Sequence, residues 1–123
     1  MTPILLYSHV NEPLTRAVLS SKLDQTHGLI KLSLETLLEQ VNILDELNEY
    51  EAKIDWTFPS GEKVSNSNSF YLINRVLSVP EKLFKDFAEQ DKLYSLSEFR
   101  AYLAFVIEAF PNAFSRPFCA RCQ

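Results

Sequence analysis

Residues 4–13 read ILLYSHVNEP. The run 4–10 has the length and apolar character of a buried strand. A strand buried on both faces belongs near the centre of a parallel sheet. Asn11, Glu12 and Pro13 follow it. Side chains such as asparagine cap the free N–H groups of a first helical turn, and proline is tolerated there because its missing N–H had no partner. Leu14, Ala17, Val18 and Ser21 then recur at helical spacing, which predicts a helix over 13–24 with one apolar face. Gly28 stands where a helix exit or turn is expected, and residues 29–33, LIKLS, form a second short strand. Strand, helix and strand in sequence make a βαβ unit, whose crossover is right-handed in nearly all proteins.

Downstream the pattern changes twice. Leu34, Leu37, Leu38, Val41, Leu44 and Leu47 lie on one helical stripe, with Glu35, Glu39, Asp45, Glu46, Glu49 and Glu51 elsewhere. This predicts one helix over 34–50, or two short pieces broken at Asn42. No base occurs between Lys31 and Lys53. Ala52, Ile54, Trp56 and Phe58 then alternate with Lys53, Asp55 and Thr57, as in a half-buried strand. Pro59-Ser60-Gly61-Glu62 is a turn and Lys63-Val64-Ser65 a returning strand, giving a β-hairpin. Phe70–Val76 is a further strand. Two helices close the pattern. Ser78 and Glu81, then Ser95 and Glu98, have capping-box spacing. Phe99, Tyr102, Leu103, Val106 and Phe110 make the second helix amphipathic before Pro111 ends it. Phe114–Pro117 reads as a last strand returning to the sheet. The expected fold is a single α/β domain over 1–118, a small mostly parallel sheet with a β-hairpin and flanking helices, with 119–123 as a tail.

Composition removes several functions. The 123 residues include two glycines, Gly28 and Gly61, where average usage of roughly 7% would give about eight or nine. There is no glycine-rich dinucleotide turn, phosphate loop, nucleophile elbow or kinase lid. A net charge of −4 argues against nucleic acid as a partner. No apolar run is long enough to span a membrane, and the N-terminus lacks the basic region of a secretory signal. Two cysteines are too few for a disulfide scaffold. A cytoplasmic setting is expected.

Four groups of residues could carry chemistry. His9 and Asn11 stand where the first strand meets its helix, and open α/β sheets bind ligands beyond the carboxyl ends of their strands. Glu12 and Thr15 are near in sequence. Asn11 could equally be only a helix cap, and His9 a space filler. Asn74-Arg75 ends an apolar run, as does Ser115-Arg116-Pro117. The planar guanidinium fork suits carboxylate or phosphate, although an ion pair with the acidic segment 35–51 would use Arg75 or Arg116 as well. Cys119 and Cys122 form a C-x-x-C at the end of the chain. A redox pair of this kind sits at a helix start, and zinc needs four ligands. Only His9 and His27 remain as other strong ligands, both about a hundred residues away in sequence, although two chains could share a zinc. No serine or cysteine has a histidine at a motif spacing, and no catalytic constellation emerges.

The order of the segments carries a resemblance. ILLYSHVNEPLTRAVLSSKL (4–23) resembles the first strand and helix of the N-terminal, pre-ATP-grasp domain of bacterial ATP-grasp ligases. SFYLINRVLSVPEKL (69–83) resembles a segment of one subgroup in which a strand ends in an asparagine-arginine pair. DKLYSLSEFRAYLAFVIEAFPNAFSRP (91–117) is similar to the next segment, where a long helix leads to a strand ending in arginine-proline. That subgroup includes ligases that modify ribosomal peptides. The resemblance implies a small parallel-sheet α/β unit. It places ATP, magnesium and acyl-phosphate chemistry in two following domains that this chain lacks. It therefore brings no catalytic residue and no cofactor to any position here. It implies that His9, Asn11, Asn74, Arg75 and Arg116 face the substrate side or a domain interface. Cys119–Gln123 depart from the pattern.

Three functions are compatible with this reading. The first is a non-catalytic N-terminal-type domain of an ATP-grasp ligase system, binding a peptide substrate or a partner ligase. The second is a small interaction or regulatory protein that self-associates as a homo-oligomer to cover an exposed apolar face. The third is a thiol or zinc protein using Cys119 and Cys122.

Overall fold

The computed structural model describes residues 2–21, 28–49, 51–67, 69–76 and 78–111, together with the backbone of 113–115. Strand β1 (Thr2–Tyr7) lies between β2 (Ile30–Ser33) and β8 (Phe70–Arg75), and β9 (Ala113–Ser115) follows β8 to complete a sheet of order β2-β1-β8-β9. Every neighbouring pair is parallel, with Leu6 opposite both Leu32 and Asn74. The central placement follows from β1's side chains. Ile4, Leu5 and Leu6 are fully buried, and alternation sends Ile4 and Leu6 to one face and Leu5 to the other. Ile4 and Leu6 join Leu32, Leu72, Leu103 and Val106 in the main core. Each such side chain contributes roughly 1.5–3 kcal/mol by leaving water.

Helix α1 (Pro13–Leu19) is shorter than expected and rotated differently. The segment 22–27 lies outside the described residues. Leu14 and Ala17 are exposed rather than inward, and Thr15 is fully buried. The reason is the cap. Glu12, not Asn11, accepts the Thr15 N–H and hydroxyl, both at 2.7 Å. With its polar atoms satisfied, Thr15 can be buried at little cost.

The acidic segment also departs from the helical stripe. Helix α2 (Leu34–Glu39) is capped by Ser33, whose Oγ accepts the Thr36 N–H, and buries Leu34 and Leu37. Beyond it the chain is extended. β3 (Asn42–Ile43) pairs antiparallel with β6 (Asp55–Thr57), and β4 (Glu46–Leu47) with β5 (Ala52–Lys53). The backbone of 42–47 finds strand partners, which leaves Leu44 and Leu47 exposed. The strand expected over 52–58 is interrupted at Ile54, whose N–H donates to Asn66 Oδ1 instead of a ladder partner.

The hairpin of β6 with β7 (Lys63–Ser65) is as expected, with Trp56 and Val64 paired and buried. Its turn needs Gly61, whose φ is +89°. A Cβ there would touch nothing, so Gly61→Ala tests conformation alone. It is expected to cost about 1 kcal/mol in urea unfolding; no loss would show that the turn tolerates a side chain.

The helical region at the end differs in its boundaries. Glu81–Phe84 is a 3-10 turn without a side-chain cap, so the Ser78 box does not form. Helix α3 spans Glu89–Ala109 and begins six residues before Ser95. Glu89 and Asp91 occupy its first turn, where negative charge complements the helix dipole. Phe99, Leu103 and Val106 face the core as anticipated, with Phe110 buried just past the helix end.

Candidate functional site

Parallel strands end together, so Tyr7 at the end of β1 lies opposite Arg75 at the end of β8. The loop from β1 into α1 rises from the same edge. Its Glu12 N–H donates to the His9 carbonyl at 3.2 Å, which folds residues 9–12 into a turn and aims Glu12 back at the sheet. Arg75 Nη2 donates to Glu12 Oε1 at 2.6 Å, and Arg75 Nε to Oε2 at 3.3 Å. This is a two-point fork. Its side chains are only 15% and 12% exposed. Glu12 thus has two tasks: it caps α1 and ties the helix start to the end of β8.

The pairing sets the electrostatics. The Arg75 guanidinium pulls the Glu12 carboxyl down to about 2 from 4.5, against the opposing effect of burial and with help from the Thr15 bonds. Glu12 is ionised at any neutral pH. Arginine carries five N–H donors, more than one carboxylate can take, so the fork can hold Glu12 and still meet a second acceptor.

The sequence candidates separate here. His9 and Asn11 are exposed on the loop, and Arg75 is beside them at the sheet edge. Val10 and Leu14 are each 53% exposed on the same loop and helix start, which adds apolar surface to a polar rim. Asn74 is buried, and its Oδ1 accepts the Val76 N–H at 3.1 Å, turning the chain out of β8. Arg75 finds its partner in Glu12 rather than in the acidic segment 35–51. Arg116, Cys119, Cys122 and His27 lie outside the described residues. Among the described residues no group of three or more His, Cys, Asp or Glu could hold a metal, and no helix is long and apolar enough to cross a membrane.

A second polar cluster was not apparent from the sequence. Trp56 Nε1 donates to the Tyr102 hydroxyl at 2.9 Å, and that hydroxyl donates to Asp45 Oδ2. The other Asp45 oxygen accepts the Asp55 N–H at 3.0 Å. Burial, then the Asp45 acceptor, pushes the Tyr102 phenol well above its usual range. The phenol therefore stays protonated and acts as a fixed link between α3, the hairpin and the acidic segment.

No protein-family model matches the sequence, and no curated protein shows a significant match. Solved structures do match. A Chryseobacterium gregarium RiPP-associated ATP-grasp ligase, in complex with ADP and a leader and core peptide, is similar over 95% of this chain, at 12% identity and a TM-score of 0.63. The macrocyclase MdnC of Microcystis aeruginosa MRC, bound with precursor peptide MdnA, is similar over 94%, at 15% identity and 0.61. This chain shares its fold with part of an ATP-grasp ligase. The ligase PsnB, complexed with minimal precursor, is similar over 94% at 15% identity and 0.56. The chain spans 36–37% of the length of these three. The resemblance of this chain to the N-terminal, pre-ATP-grasp region of such ligases thus holds at the level of fold.

Proposed function

We propose that the α/β unit of residues 1–118 is a non-catalytic N-terminal-type domain of an ATP-grasp ligase system. It binds a peptide substrate or the partner ligase at the carboxyl edge of its sheet. The observation that supports this is the fold shared with part of two ATP-grasp ligases and a macrocyclase, each solved with a leader and core peptide or a precursor, of which the chain matches about a third. The edge offers apolar contact from Val10 and Leu14, polar groups from His9 and Asn11, and a rigid fork at Arg75. Rigid elements lower the cost of binding because less is ordered on contact. In this reading ATP and magnesium are held by other domains, and the setting is cytoplasmic.

Calorimetry tests the proposal with a ribosomal precursor peptide and an ATP-grasp ligase of the peptide-modifying kind. Saturable binding to one of them is expected, weakened about tenfold or more by Leu14→Asp, with no heat from ATP and magnesium. Micromolar nucleotide binding by the chain alone would overturn it. So would partner binding that Leu14→Asp and His9→Ala leave unchanged.

A further inference from the structure

The acidic segment ends in a groove that shares no residue with the Glu12–Arg75 edge. It lies between α3 and β4 and is a shallow, open depression of about 390 Å³. Leu47, Ala101, Tyr102 and Phe105 give it an apolar lining, and Asp45, Glu46 and Glu98 bring carboxylates to it. Leu47 is 74% exposed, and Leu44 beside the hairpin is 63% exposed. Side chains this apolar are rarely left in water as a contiguous patch without a partner.

We propose that this groove docks a basic, apolar peptide segment, one in which leucine-like anchors are flanked by lysine or arginine. The carboxylates choose the occupant. Asp45 cannot swing away, because the Asp55 N–H and the Tyr102 hydroxyl hold both of its oxygens. Glu46 and Glu98 are exposed at the groove. The nearby base is Lys53, opposite Glu46 across the β4–β5 pair, which offsets one charge of three. Exposed Glu49 and Glu51 extend the negative field along the hairpin. A second copy using the same face would set these charges against each other. An anionic membrane or a nucleic acid would be repelled. A cationic amphipathic peptide meets both requirements, apolar anchors for the floor and positive charge for the rim.

NMR titration of the labelled chain tests this with three synthetic peptides of equal length: alternating lysine-leucine, lysine-serine and glutamate-leucine. The lysine-leucine peptide is expected to shift the amides of Leu47, Glu98, Ala101 and Phe105 saturably. Its Kd should weaken about five- to tenfold in E46Q/E98Q and be lost in Ala101→Lys, with the folded spectrum retained. Equal binding of the lysine-serine peptide would show unspecific charge attraction and overturn the proposal. No shifts at these residues, or a groove already covered by self-association in light scattering, would overturn it too. Leu14→Asp, which alters the exposed carboxyl edge, should leave this titration unchanged and so separates failure here from failure of the proposed function.

Discussion

Trp56→Ala is expected to destabilise the domain by about 3–5 kcal/mol and lower the melting temperature by roughly 10–20 °C. Trp56 is fully buried, and it is the largest side chain in the core. It sits on β6, its ring lies 6.0 Å from that of Phe110 at the end of α3, and its N–H is bonded to Tyr102. Truncation therefore opens a cavity where the hairpin meets the long helix, and the surroundings can collapse only partly. Trp56→Phe separates the two contributions. It keeps most of the ring volume and removes one donor to a phenol that still donates to Asp45, so about 1–2 kcal/mol is expected. Thermal and urea unfolding followed by circular dichroism measure both. A loss under about 1 kcal/mol for Trp56→Ala would mean that the hairpin is not clamped by this residue.

What the sequence disclosed and what it hid divide by distance along the chain. The run at 4–10 announces a central strand because Ile4–Leu6 are buried on both faces, but β1 spans Thr2–Tyr7, and the apolar Val10 that extends the run lies exposed in the turn beyond it. The hairpin around Gly61 is readable because its turn, its alternation and its return strand all lie within 52–65. The segment 34–50 misleads because Leu44 and Leu47 happen to fit a helical period. The competing interaction, Ile43 paired with Trp56, is not visible until both strands are placed. Ser95 and Glu98 imitate a helix start inside a helix whose acidic first turn at Glu89 and Asp91 is the better signal.

The same division runs through the site. His9, Asn11 and Arg75 are found at the carboxyl edge because strand ends are readable locally. Glu12 and Arg75 are 63 residues apart, so no local pattern joins them. The available hint is a carboxylate directly before a proline at a helix start. Asp45 and Tyr102 are 57 residues apart, and their link depends on the hairpin that was hidden in the acidic segment. Long-range polar pairs of this kind carry little sequence signature, since each partner alone looks like an ordinary surface residue.

Breaking the Glu12–Arg75 fork is expected to have the second large effect. Arg75→Ala leaves a carboxylate that is only 12% exposed with Thr15 and the Leu14 N–H as its remaining partners, and should cost about 2–4 kcal/mol. Glu12→Gln strands the guanidinium and weakens the cap. The double variant should cost less than the sum, with a coupling of about 1–3 kcal/mol in a double-mutant cycle. Acid provides an independent reading. The carboxyl lies at about 2 in the folded chain, against 4.5 as its ordinary value. Its contribution is therefore complete above pH 4.5 and is lost as pH falls towards 2. After allowance for solvent screening, about 1–2 kcal/mol of wild-type stability should vanish across that window. In Arg75→Ala the folded carboxyl moves back up, and that part of the acid slope should flatten. Identical acid profiles for the two proteins would show that the fork contributes nothing to the fold. A flattened slope would show that the start of α1, and with it His9, Val10 and Leu14, is held in place by charge pairing with the end of β8.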